Sequence, residues 1–229
     1  MKTGVKIMIM MLLTLVSCKE DTGEKNKQPQ AGEAGETKMQ IPEELAGKEE
    51  KISDWSNYYE TRMPSFRLDH FEARENSPAT FLDLGPADNA SLSHYKPLLS
   101  FNADSSRYID IFSYNLILEK GKDSTIRART GDPDMEAAIV DVKTGKRLRI
   151  WYCGPSCALE KAVWLEDQKV GLLGLNDENG DGLSQPTIWV INLVNGQTTS
   201  YVYPAEINSL DNSEYLSEML RKKGMIYEY

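Results

Sequence analysis

Histidine and cysteine are scarce in this chain, two and three respectively among 229 residues. The histidines, His70 and His94, stand far apart, so the paired imidazoles of a His-based zinc centre are not present in the pattern. His70, in "RLDHFE", is placed to pair with Asp69 or Glu72, and His94 precedes a strand-like run. Basic residues are also in deficit: 26 Lys and Arg against 35 Asp and Glu give a formal charge of −9. Binding a phosphate backbone needs a basic footprint, so nucleic acid is excluded as the expected partner. The same acidity opposes adsorption to anionic lipid. Long hydrophobic runs are missing too: the longest, "IMIMMLLTLV", covers about ten residues where a membrane-spanning helix takes about twenty. There is no glycine-rich phosphate loop and no nucleophile elbow. No catalytic constellation is therefore expected.

What is present begins with that short run. Lys2 and Lys6 precede it as a basic segment, and it ends in "LVSC", Leu15 to Cys18. Length and flanks suit a secretory signal over residues 1–17. The ending resembles the lipobox of bacterial lipoproteins, in which the cysteine is lipidated and becomes the mature N-terminus. That resemblance implies a lipid anchor on Cys18, with Leu15 and Ser17 as its recognition context. Lys19, Glu20 and Asp21 further resemble the lysine-acidic surface-export signals of Bacteroidetes lipoproteins, or simply begin a charged linker. The resemblance implies a cell-envelope protein held at a membrane, on either face of the outer one. Residues 18–45 are polar, with Gly and Pro and almost no aliphatic side chains before Ile41, and are expected to form a disordered tether.

With Cys18 lipidated, two of the three cysteines remain, Cys153 and Cys157 in "WYCGPSCA". Without Ser156 this stretch would resemble the Trp-Cys-Gly-Pro-Cys centre of thioredoxin-like oxidoreductases. Such a centre needs a two-residue spacer at a helix N-terminus, which lowers the first thiol's pKa. Here the following residues, "ALEKAVWLEDQKVGLLGL", read as strand, turn and strand. In an oxidising envelope an isolated pair is expected to form a structural disulfide, with Gly154 and Pro155 supplying the turn.

From residue 80 onward the chain reads as short strands separated by Gly, Asn, Asp and Pro. "AAIVDVKTGKRLRIWY" (137–152) aligns without gaps on "IWVINLVNGQTTSYVY" (188–203), each containing a hairpin turn at Gly145 or Gly196. Two further strands precede each hairpin: 107–112 and 115–129 in one case, 161–166 and 169–175 in the other. The pattern resembles the four-strand meander of β-propeller blades. Two such units cannot close a propeller, which takes about four blades or more. The expected fold is mainly β, with blade-like antiparallel meanders at about 100–152 and 159–203 packed on each other within a single domain, 46–229. "KVGLLGL" and "TIWVINL", apolar on both faces, are read as inner strands, and "KRLRIWY" and "TTSYVY" as outer edges.

Helices are expected at both ends of the domain. Leu45, Ile52, Trp55 and Tyr59 recur at helical spacing. A second helix is expected at about 212–223, with Asp211 and Glu214 as a capping pair, Leu216, Met219 and Leu220 on one face, and Gly224 as the stop.

"NDENGDGL" places Asp177, Asn179 and Asp181 at alternate positions before Gly182, similar to Asp-x-Asp-x-Asp-Gly calcium loops. The bidentate acid of an EF-hand is missing, since its place falls on Ile188, and Gln185 holds the ninth position. The loop is therefore either a calcium site or an ion-free hairpin turn. Two functions remain open: a non-catalytic envelope lipoprotein that binds a protein, peptide or glycan, or an envelope enzyme such as a thiol-disulfide oxidoreductase using Cys153 and Cys157. For the first, Trp151, Tyr152 and Tyr203 are the candidate contact residues.

Overall fold

The computed structural model describes residues 41–74, 76–87, 91–207 and 213–228. Cys18 and its signal, most of the tether and Asp211 of the capping pair lie outside the described residues. The domain starts earlier than expected. Residues 43–45, assigned to the tether, form a turn of 3-10 helix that buries Leu45, and the Tyr201 hydroxyl donates to the Glu44 carboxylate.

A 3-10 turn at Glu49–Ile52 leads into helix α1 (Ser53–Arg62). Short strands β1 (Glu72–Ala73), β2 (Ser77–Pro78), β3 (Leu82–Pro86) and β4 (Ser100–Phe101) follow, then β5 (Arg107–Asp110), β6 (Leu116–Lys120) and β7 (Ile126–Thr130). The longer strands are β8 (Met135–Asp141), β9 (Lys146–Cys153), β10 (Cys157–Glu166), β11 (Lys169–Asn176), β12 (Gln185–Asn192) and β13 (Gln197–Val202). Helix α2 (Ser213–Lys222) and β14 (Met225–Tyr227) end the described chain.

The protein is mainly β. One sheet runs β1-β13-β12-β11-β10, with β2 also on β13; a second runs β3-β9-β8-β5-β4. They pack face to face through Leu172, Trp189 and Ile191 on one side and Ile109, Ile139 and Ile150 on the other. The opposite face of the first sheet, including Leu173, Ile188 and Val190, is covered by Leu45, Ile52, Trp55, Tyr59 and Phe66. The sheet is thus buried on both faces, which is why "KVGLLGL" and "TIWVINL" lack a polar side. The N-terminal residues chosen for helical spacing are the ones that cover it.

Both expected hairpins form, β8 with β9 and β12 with β13. Their turns are built alike. Asp141 and Asn192 accept side-chain bonds from turn amides, and Gly145 and Gly196 take φ of +71° and +66°. Strands β10 to β13 make the second expected meander, each antiparallel to the next.

The first meander is different. β5 pairs directly with β8, and the intervening β6–β7 hairpin leaves the sheet to join β14 in a separate three-stranded sheet. Asp110 turns the chain away, because its carboxylate accepts the amide protons of Phe112 and Ser113. The described residues therefore form two packed sheets and a smaller third one, and the propeller-like repetition stops at the hairpins. Nor are β9 and β13 outer edges, since β3 covers one and β1 and β2 cover the other. The long strand left at an edge is β10.

Helix α2 lies where expected, burying Leu216 and Leu220, with Met219 partly buried beside them. Gly224 stops it at φ +74°. The chain then runs on as β14, which pairs parallel with β7, a strand the sequence reading did not anticipate.

Candidate functional site

A cleft of about 480 Å³ lies at the open edges of the two sheets. Its walls come from β10, the 97–103 segment with β4, and α2, and include Phe101, Phe112, Trp164 and Met219. Trp164 ties the sheets together there, its indole N–H donating to the Ser100 carbonyl at 2.9 Å, and Arg107 lies over its ring.

A β-bulge in β10 shapes the floor. Leu159 pairs with Gly174 and Lys161 with Leu173, so Glu160 is the extra residue. The insertion changes which face odd and even residues take. Ala158 joins the helix-covered core and Leu159 the intersheet core; beyond the bulge, Val163 and Leu165 face the helices while Trp164 faces the second sheet. Glu160 is consequently turned toward α1. It is 2 % exposed and lines the cleft together with Tyr215.

The carboxyl group of Glu160 is held by neutral donors. Trp55 Nε1–H donates to Oε2 at 2.7 Å, and the Tyr59 hydroxyl lies 2.9 Å from Oε2 and 3.1 Å from Oε1. Among the described residues no basic group forms an ion pair with it. Burial pushes the carboxyl up to about 7, while the bonds from Trp55 and Tyr59 act the other way. Burial, reinforced by the Glu160 charge, likewise raises the Tyr59 and Tyr215 hydroxyls well above their ordinary range.

Neighbouring polar groups fasten the N-terminal segment along the β10 edge. Lys48 pairs with Glu166 at 2.6 Å, Lys51 donates to the Trp164 and Leu165 carbonyls at 2.6 and 3.2 Å, and Lys161 pairs with Asp54. The order is antiparallel, residues 48 to 59 matching 166 back to 160. Lysines placed this way satisfy carbonyls and discourage pairing of the edge with another strand.

The residues singled out from sequence lie elsewhere. Cys153 and Cys157 are joined, Cα to Cα 6.0 Å, where the chain crosses from β9 in one sheet to β10 in the other. Cys157 is buried and starts a strand, not a helix. The adjoining Ser156 carbonyl accepts the Asp177 amide at 2.7 Å, so the disulfide link and the acidic loop are neighbours. In that loop Asp177 is buried, and its carboxylate accepts the amide protons of Gly180, Asp181 and Gly182 at 2.6 to 3.2 Å. Asp181 in turn accepts from the Leu183 amide. These bonds close the turn through the protein's own donors, and no group of three or more His, Cys, Asp or Glu residues among the described residues is arranged to hold a metal.

Of the three aromatic contact candidates, Tyr203 is corrected outright. It is buried against Phe66 and Phe71, its hydroxyl near Ser65. Trp151 is partly buried against Trp189, and only Tyr152 is exposed, bonded to Asp134. His70 stacks on Tyr203 with Asp69 3.9 Å away, and His94 lies in a 3-10 segment before β4.

No family model matches the sequence, and no curated protein or solved structure matches it.

The cleft and Glu160 were missed because the expected strand, 161–166, starts one residue after Glu160, whereas β10 runs from Cys157 to Glu166. The available signal was the broken alternation: Ala158 cannot share a face with Val163, nor Leu159 with Trp164, unless one residue is inserted between them.

Proposed function

We propose that this chain is a lipid-anchored lipoprotein of the bacterial cell envelope, at the outer membrane, whose β-sandwich is a non-catalytic binding module for a protein, peptide or glycan partner. Cys18 provides the membrane attachment. The observation that carries the binding role is the cleft between the edges of β10 and β4. Its volume falls among those of ligand pockets, and its lining sets the charged Lys51, Asp54, Glu160 and Lys161 beside apolar Phe101, Val163 and Trp164.

The thiol-disulfide alternative has weaker support. A redox cysteine is exposed and activated by a helix N-terminus or a nearby cation, whereas Cys157 is buried at the start of β10. A calcium role for Asp177, Asn179 and Asp181 would require a cation to compete with the loop amides that already bond Asp177.

Site-specific photo-crosslinking in the producing cells tests the binding role. A photoreactive residue at Phe101, on the cleft wall and 38 % exposed, should give a discrete adduct, and one at Val194, 76 % exposed on the β12–β13 turn, should not. Equal labelling at both positions, or none at Phe101, would overturn the reading.

A further inference from the structure

The charged side chains lining the cleft are Lys51, Asp54, Glu160, Lys161 and Lys223. Asp54, on its rim, is paired with Lys161, and Lys51 is engaged by two strand carbonyls. Among the described residues Glu160 has no basic partner, although it is the more deeply buried of the two acids. Three contacts from neutral donors satisfy its lone pairs but do not neutralise a charge in a site of low dielectric. A cation would pair with that charge, and the surrounding side chains suit an organic one. Trp164, Tyr215 and Phe101 offer aromatic surface, and the apolar Leu98, Val163 and Met219 suit an alkyl stem.

Resting on the binding role proposed above, we propose that the cleft is a site for a primary alkylammonium group, a lysine side chain of a peptide or a free alkylamine, whose charge pairs with the carboxylate of Glu160. A small hard metal ion fits less well, because the other carboxylate lining the cleft, Asp54, is already paired with Lys161. An ammonium on a flexible stem reaches a single acid and leaves its methylenes against the apolar wall.

Pairing and protonation then compete at one carboxyl. The ionisable groups facing Glu160 are Tyr58 and Tyr59 from α1 and Tyr215 from α2, with Lys161 next to it in β10 and Lys51, Asp54 and Lys223 around the cleft. The tyrosines stay neutral through the range in which Glu160 titrates, and the ammonium stays charged. Affinity should therefore rise with pH, by about tenfold per unit while Glu160 is mostly protonated, and level off once it is ionised.

Calorimetric titration of the full chain tests this with n-pentylamine and with a glycine-flanked lysine peptide, each between about pH 5 and pH 8. The matched control is the same peptide with norleucine, which has a similar stem and no ammonium. Binding of the amine or lysine probe that strengthens with pH, with the norleucine peptide at least about tenfold weaker, supports the site. The free amine alone binding would identify a small-molecule site, and the lysine peptide binding would identify a peptide site. Glu160→Gln retains an acceptor for Trp55 and Tyr59 and should abolish both the affinity and its pH dependence. Equal binding of the norleucine peptide, pH-independent binding, an unchanged Glu160→Gln, or no binding of either amine probe would each overturn the proposal. A Phe101 adduct alongside those negative results would retain the binding module and remove only its ligand.

Discussion

At Gly174 and Glu160 the same bulge imposes two different requirements. A Cβ built at Gly174 would lie 1.9 Å from the Ala158 carbonyl oxygen and 3.1 Å from the Leu159 Cα, both backbone atoms of the bulged strand. Neither can swing aside as a side-chain tip would. Gly174→Ala should cost about 3 kcal/mol or more, or prevent folding, and a urea unfolding curve measures it. Gly171 makes a contrast, since its nearest neighbours are the side chains of Val163 and Leu165 at 3.2 to 3.5 Å. Gly171→Ala should be tolerated better.

Glu160 carries the pH dependence of stability. Its carboxyl rises on folding from an ordinary value of 4.5 to about 7 because burial disfavours the charge. The folded state therefore holds a proton that the unfolded chain releases between those values. Stability from this group is intact below about 4.5 and is lost as pH rises through about 7, the reverse of the usual salt-bridged carboxylate. The loss approaches about 3 kcal/mol, at about 1.4 kcal/mol for each pH unit between the two values. Urea midpoints of the wild type should fall between about pH 5 and pH 8. Glu160→Gln should flatten that fall and be the more stable protein at the upper end. Parallel curves for the two proteins would show that Glu160 titrates normally.

Among the elements, the link between β9 and β10 is fastened twice, by the Cys153–Cys157 bond and by the amide of Asp177 on the Ser156 carbonyl. A ring this small closes little chain entropy, so replacing both cysteines by alanine should cost about 2 kcal/mol and leave the fold intact, with a lower Tm. Helix α2 depends more on a single side chain. Leu220 is fully buried in the intersheet core, and Leu220→Ala should cost about 2 to 5 kcal/mol by thermal or urea unfolding.

These elements also explain what could be read from the sequence. Hairpins and helices rest on local chemistry: Asp141 and Gly145, Asn192 and Gly196, or the spacing of Leu216 and Leu220. Such signals lie within a few residues of the structure they specify. Partner strands are chosen by remote contacts, and β5 joins β8 across an excursion that Asp110 initiates through its side chain. The parallel pairing of β14 with β7 is still more remote in sequence. The disulfide pair was legible from cysteine arithmetic. Glu160, Trp55 and Tyr59 were not seen as a site, because the bulge that brings them together alters the period by which faces are assigned.

For the whole molecule, the arrangement of layers is informative about attachment. The N-terminal segment from residue 41 onward is part of the folded body, with Leu45 and Ile52 buried and Lys48, Lys51 and Asp54 fixed along β10. Any pull on the chain from Cys18 would be transmitted to the layer that covers the first sheet, beside the cleft. Among the described residues no helix is long and apolar enough to cross a membrane. The attachment proposed above rests on acyl chains at Cys18. Each buried methylene contributes about 0.8 kcal/mol, and stable anchoring takes more than one chain. Metabolic labelling with a fatty-acid analogue should mark the wild-type protein and leave Cys18→Ala unmarked. That variant should also lose its place in the membrane fraction. Equal labelling of the two proteins would remove the anchor, and with it the oxidising compartment invoked for Cys153 and Cys157.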